Sequence, residues 1–299
     1  MDNFFSMIDL GFLAALLRIA TPLLLATMGE LYAERSGVLN LGIEGTMLLG
    51  AMTGFTAAYF TGSLWLGVGA ALATGALVGL LMALLTVVLG VSQHVSGIGT
   101  TLLTTGLAFF FYRMIFGQPA IPPNVVAFQP VLFSQTALTY IALLSVPVTW
   151  FALHKTRWGL NLRTVGENPR AADTAGVSVW SMRIQALVIS SALMGMGGAF
   201  LTLSQFNAFT FGVISGRGWV CIALVVFGQW MPWRCAGGVL LFAMIEALQL
   251  RLQAHNVLNM PYEIFLMLPF VMTIVAMALV SRNAHAPAAL LIPFRKEER

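Results

Sequence analysis

Long unbroken apolar runs, separated by short polar breaks, occupy nearly the whole chain. Nine runs stand out, at 9–29, 38–60, 64–90, 95–116, 136–154, 184–204, 215–231, 236–252 and 263–281. Runs of about 20 residues match the length a helix needs to cross a hydrocarbon core of about 30 Å. Strands of a membrane barrel would instead alternate apolar and polar residues and cross in about ten. The pattern therefore predicts an all-α polytopic membrane protein with about nine or ten transmembrane helices. Two breaks are unusual. Residues 29–46 (GELYAERSGVLNLGIEGT) and 92–101 (SQHVSGIGTT) are too polar and glycine-rich for plain helix. Non-helical backbone survives at membrane depth only where protein buries it or it lines a cavity. A turn or a short re-entrant piece is expected at 29–46. Residues 117–135, with four prolines and no charge, read as an extended, ordered cover on the outer side.

One hydrophilic stretch is long: Lys155 to Arg183. Its centre is punctuated as a short helix. Asn168 can cap the free amides and Pro169 suits the first helical position. Ala171 and Ala172 continue it with high propensity. Gly176 is a left-handed stop, and Ser178 can cap the next segment. Such a helix exposes Glu167, Arg170 and Asp173, with Ala171, Ala172 and Ala175 as a smooth face. It has the form of a knob for a groove on another protein, the plain alternative being a solvated turn joining two spans.

Composition supports the membrane reading. Charged residues make up 9% and hydrophobic ones 59%, with mean hydropathy +0.88, against about 25% charged residues in soluble domains. The pI of 9.4 reflects basic inner loops rather than a nucleic-acid partner. With 155–183 placed in the cytoplasm, Arg35, Lys155, Arg157, Arg163, Arg170, Arg183, Arg234, Arg282, Arg295, Lys296 and Arg299 fall inside, eleven of the fifteen basic residues. The N-terminus is then outside and the tail, 282–299, inside. Asp2 and Asp9 without a positive n-region do not resemble a cleaved signal. Cys221 and Cys235 read as packing residues without a disulfide.

Several polar and small residues recur at helical spacing. Gly67, Ala71, Gly75, Gly79 and Ala83 form a strip that favours close helix packing, and Ser191, Gly195 and Ala199 repeat it. Asn40 and Glu44 lie four apart at the start of the second run and so share a face, and an acid at this depth faces a cavity or a partner group. Glu44 is a candidate gate, ion-pair or backbone-amide partner, or a substrate contact. Ser96, Thr100 and Thr104 form a hydroxyl strip, and such groups bond either a solute or their own helix. Glu246, Gln249 and Gln253 line a third strip. Asn40, Glu44, Ser96, Thr100, Thr104 and Glu246 are thus candidates for a pathway or gate. Arg18, near the middle of the first run, must snorkel or pair with an acid such as Glu30 or Glu246. No HExxH, phosphate loop or Gly-x-Ser-x-Gly elbow occurs. No catalytic residue, metal or cofactor is expected.

The stretch GENPRAADTAGVSVWSMR resembles the coupling-loop motif of ABC-transporter permeases of the branched-chain amino acid, ribose and nucleoside group. ATPLLLATMGELYAERSGVLNLGIEGTMLLGA and GRGWVCIALVVFGQWMP are similar to the smaller permease of nucleoside-type uptake systems. The resemblance runs in order from about residue 8 to 282, with Gln229-Trp230-Met231-Pro232 as a departure from a more polar loop. It implies one transmembrane permease domain over 1–299 with a type II-like core of around ten helices in two related halves. The stretches 36–50 and 212–228 would begin corresponding elements. It also implies that Gly166, Glu167, Asn168, Pro169, Arg170, Ala171, Ala172, Asp173 and Gly176 couple the chain to an ATP-binding subunit. A second homologous permease, an extracytoplasmic substrate-binding lipoprotein and the lipid of a bacterial inner membrane are the other implied partners. The ATP would be used by the partner subunit. The implied solute is a nucleoside, with a ribose-like sugar or a branched-chain amino acid as alternatives. From a different class, an ion-coupled transporter working alone through Glu44 and Glu246 is the rival.

Overall fold

A computed structural model describes residues 9–119, 121–254, 267, 271, 274, 275, 278 and 285–294. Ten helices are described in chain order: α1 Leu10–Arg35, α2 Ile43–Thr61, α3 Leu64–Ala83, α4 Gln93–Phe116, α5 Ala137–Lys155, α6 Arg157–Glu167, α7 Pro169–Thr174, α8 Val179–Phe200, α9 Arg217–Phe227 and α10 Pro232–Ala254. Single π-turns at Leu84–Val88 and Leu201–Gln205 extend α3 and α8. Six helices (α1, α3, α4, α5, α8 and α10) are long and apolar enough to cross a membrane among the described residues. The chain is a multi-pass, all-α membrane protein. The ninth expected run, 263–281, and most of the tail lie outside the described residues.

The bundle is centred on α8, which packs extensively on α3, α1 and α2. Its apolar window is 78% buried, against 33% for α4 and α5, so α8 is the core and those two are periphery. Small residues bring the backbones together. A Cβ on Gly198 would run into the Met47 carbonyl, one on Gly195 into the Ala71 carbonyl, and one on Gly75 into the Ser191 carbonyl. The strips on α3 and α8 are therefore each other's packing surfaces. Helices in lipid gain little from apolar burial between them and associate through such contacts.

Two expected spans are corrected. The second helix begins at Ile43, not at 38, because residues 36–42 form a non-helical re-entrant segment. Asn40 lies in that segment and shares no helix face with Glu44. The seventh run, expected to span 215–231, forms a helix of only 11 residues, Arg217–Phe227. At 1.5 Å per residue it covers about 16 Å, roughly half a hydrocarbon core. Both departures occur where side chains from distant parts of the chain take over the backbone's hydrogen bonds. Cys221 and Cys235 are buried and free.

Candidate functional site

The re-entrant segment turns back from the end of α1 into the bundle. Gly37 supplies a left-handed turn (φ 87°), and Val38 donates back to the Ala33 carbonyl. Three of the next four amides donate to side chains. The Leu39 amide donates to Gln93 Oε1 (2.8 Å), the Asn40 amide to Glu30 Oε1 (3.0 Å) and the Gly42 amide to Asn40 Oδ1 (3.0 Å). Gln93 Nε2 donates to the Gly37 carbonyl and Thr101 to the Leu41 carbonyl. Asn40 Nδ2 reaches Ser191 on α8 (3.2 Å). This satisfies the backbone where no water is at hand.

A second segment, 206–216, leaves the far end of α8 and leads to α9. Glu44, in the first turn of α2, accepts from the Gly216 amide through Oε1 and from the Gly218 amide through Oε2, both at 2.8 Å. Its carboxylate thus caps α9, covering the positive end of that helix. At the other end of α9, the Trp230 carbonyl accepts from Arg35 Nε (3.0 Å) and Nη2 (2.7 Å), while Trp230 Nε1 donates to Glu34. One short helix is pinned at both ends to the α1–α2 region. Of the options open to Glu44, the structure realises the backbone-amide one.

The other pathway candidates part company here. Asn40, Ser96, Thr100 and Thr104 are buried (1–4% exposed) and line neither of the two described cavities. Thr104 bonds the Thr100 carbonyl of its own helix (2.7 Å). Glu246 does line a cavity, of about 350 Å³, with Gln249, Thr210 and Ser215. There it pairs with Arg217 at 2.9 Å. Arg18 pairs with neither Glu30 nor Glu246. It lines the second cavity, of about 290 Å³, with Ser134, Gln135, Thr136, Thr139, Ser204, Gln205 and Asn207. Neither cavity was legible in the sequence, because each gathers residues from segments far apart in the chain.

The hydrophilic loop is a two-helix hairpin rather than one short helix. Thr156 ends α5 and caps α6, its hydroxyl accepting from the Gly159 amide at 3.0 Å. Gly159, Leu162, Val165 and Gly166 form the buried face of α6, with Trp158 bonding Gln185 (2.8 Å). Leu162 and Val165 at i, i+3 after a threonine cap were the sequence signal for this missed helix. The expected punctuation of α7 is present: Asn168 Oδ1 accepts from the Ala171 amide (3.0 Å), Pro169 opens the helix, and Gly176 has φ 84°. Asn168→Ala is expected to cost about 1 kcal/mol of local helix stability. Hydrogen exchange should show faster amides over 170–175 in a chain that is otherwise folded.

The nine expected coupling residues differ in exposure. Glu167, Asn168, Arg170, Ala171 and Gly176 are exposed, and Pro169 and Asp173 are half-buried. Gly166 and Ala172 are buried, so neither offers a surface to a partner. Gly166 sits against the Arg35 carbonyl, where a Cβ has no room. Ala172 points inward because Ala171, Thr174 and Ala175, at i, i+3, i+4, take the outer face. The hairpin is braced from beneath by residues 285–294. Ala289 donates to the Gly166 carbonyl (2.9 Å) and Ala288 to Glu167 Oε2 (3.3 Å). Buried Arg183 ties the Ser36 carbonyl to the Ile292 carbonyl, both at 3.2 Å.

The structure is thus a multi-pass helical bundle interrupted by two non-helical segments, with a capped hairpin braced on one face. The chain belongs to the permease family described as branched-chain amino acid transport system / permease component, whose model matches residues 12–277. It is 40% identical over 257 residues to the putative glucose ABC transporter permease protein TsgC13 of Haloferax volcanii, covering 82% of this chain and 78% of that one. It is 33% identical over 307 residues to the guanosine ABC transporter permease protein NupQ of Bacillus subtilis (95% and 96% covered). With the nucleoside ABC transporter permease protein NupC of Lactococcus lactis subsp. cremoris it shares 33% identity over 297 residues (92% and 94% covered). No solved structure matches. As an ABC transporter permease the chain is not itself an enzyme, and the ion-coupled rival is set aside.

Proposed function

We propose that this chain is one of two related permeases of an ATP-driven importer, and that its solute is a nucleoside. The exposed tip of the hairpin supports the coupling role: Glu167 at the end of α6, with Arg170 and Ala171 on capped α7, stands on a buried base. An ATP-binding subunit docks there, and its closure moves the hairpin. Because Gly166 sits against the Arg35 carbonyl of α1 and Trp158 bonds Gln185 of α8, that motion passes to the helix termini around Gly37 and Trp230. The excess of basic residues on this face supports a cytoplasmic hairpin and C-terminal tail, and an N-terminus on the outer side. A substrate-binding lipoprotein delivers solute from that side. The whole chain acts as one permease domain, and the partner subunit uses the ATP. The nucleoside reading is supported by full-length similarity to NupQ and NupC. A sugar is the second reading, favoured by the greater identity to TsgC13.

Charge reversal at the docking face tests the coupling role. Glu167→Arg with Arg170→Glu should reduce uptake about tenfold or more, the loss expected when central interface contacts are removed, while the chain remains folded in the membrane. Transport at the wild-type rate would make the hairpin a mere connector. Competition of labelled guanosine uptake by glucose, ribose and leucine, in cells carrying the complete system, separates the solute readings.

A further inference from the structure

The cavity beside Arg18 gathers polar groups that the protein itself does not satisfy. Its walls come from α1, the start of α5, the end of α8 and the 124–136 connection. Gln205 Oε1 and Asn207 Oδ1 are buried acceptors without a hydrogen-bond partner, which natural interiors rarely leave unexplained. Arg18 makes no hydrogen bond or ion pair among the described residues. The backbone is also unusual at this spot. Gln205 ends a π-turn, a feature concentrated at functional sites. Ser134 and Asn207 hold left-handed φ values of 57° and 59°, a strain that clusters at ligand clamps. Phe128 and Phe200 supply apolar walls.

These groups specify a chemistry. The two carboxamide oxygens require donors, whereas a guanidinium only donates and requires an acceptor. A phosphate or carboxylate alone would suit Arg18 but face two carbonyl oxygens that it cannot satisfy. An ammonium group would suit the carboxamides, but no carboxylate lines the cavity to balance it. A ring carrying adjacent hydroxyls both donates and accepts, and its carbon face suits the phenylalanines. We propose that this cavity is a binding site for the hydroxylated ring of the transported solute. Gln205 and Asn207 accept from neighbouring hydroxyls, and Arg18 donates to a ring or hydroxyl oxygen. The inference rests on the solute reading above and deepens it, since a nucleoside and a sugar share this ring.

The test compares guanosine with 2′,3′-dideoxyguanosine, which lacks the hydroxyl pair, as substrates of the complete transporter in proteoliposomes, alongside glucose. Wild type should favour guanosine by about tenfold in KM, and Gln205→Leu should erase most of that preference. Arg18→Gln, a change on an exposed position, should raise the KM for guanosine by a similar factor. A preference for guanosine that persists unchanged in both variants overturns the site while leaving nucleoside transport intact. Should the complete system carry neither guanosine nor glucose, the solute reading fails instead. Ribose binding to the purified full chain in lipid nanodiscs then decides the cavity: binding abolished by the double variant upholds it, and absent or unaffected binding overturns it. Leucine displacing ribose from the wild-type chain would also count against a hydroxyl-reading site.

Discussion

Replacing Gly198 with valine leaves little folded protein in the membrane, and Gly75→Val behaves in the same way. Both glycines face backbone, not flexible side chains: Gly198 meets the Met47 carbonyl of α2, and Gly75 the Ser191 carbonyl of α8. Backbone cannot swing aside as a side-chain tip can, so the helices must separate. Overpacking a close-packed interior costs about 1–3 kcal/mol where rotamers can adjust. Here the displacement spreads along whole helices, so at least the upper end of that range is expected. That is a large part of a stability of about 5–15 kcal/mol. Gly69→Val, on the open side of α3 with nothing within 4 Å of the added Cβ, is the matched control and should accumulate normally. Thermal melting of detergent-solubilised protein followed by size-exclusion chromatography gives the comparison. Equal yields and melting temperatures for Gly198→Val and Gly69→Val would refute the packing argument.

Glu44→Ala should abolish uptake and lower thermal stability. The substitution strands the amides of Gly216 and Gly218, each buried polar group costing about 1–3 kcal/mol when left unpaired. It also removes the negative group at the positive end of α9. Glu44→Gln keeps one acceptor and turns a donor toward the second amide, so an intermediate loss is expected. Uptake per unit of assembled transporter, read beside melting temperature, separates the two roles. A role confined to capping predicts that uptake falls in step with stability across the two variants. Wild-type stability and uptake in Glu44→Ala would show that α9 holds its place without this contact.

The sequence carried the parts of this architecture that depend on neighbours along the chain. Six crossings follow from run length, and the α7 caps follow from Asn168, Pro169 and Gly176 because capping is local chemistry. The small-residue strips on α3 and α8 were visible as a four-residue spacing, and their packing role is borne out. The shortness of α9 was not visible. The 215–231 run is largely apolar, and its helix begins where a carboxylate from Glu44, 172 residues away in sequence, takes the first amides. The same holds for Asn40, whose backbone amide is taken by Glu30 and whose side chain is held by Ser191. Arg18 stood out as a charge needing an explanation. Its companions, Gln205 and Asn207, lie in a turn with no local pattern to mark it.

The brace under the hairpin sets an order of events during synthesis. Residues 166 and 167 emerge well before Ala288 and Ala289, which complete their hydrogen bonding. A chain interrupted between these points displays α7 without the segment that seats it. The seat of α7 is therefore completed by residues made more than a hundred positions later.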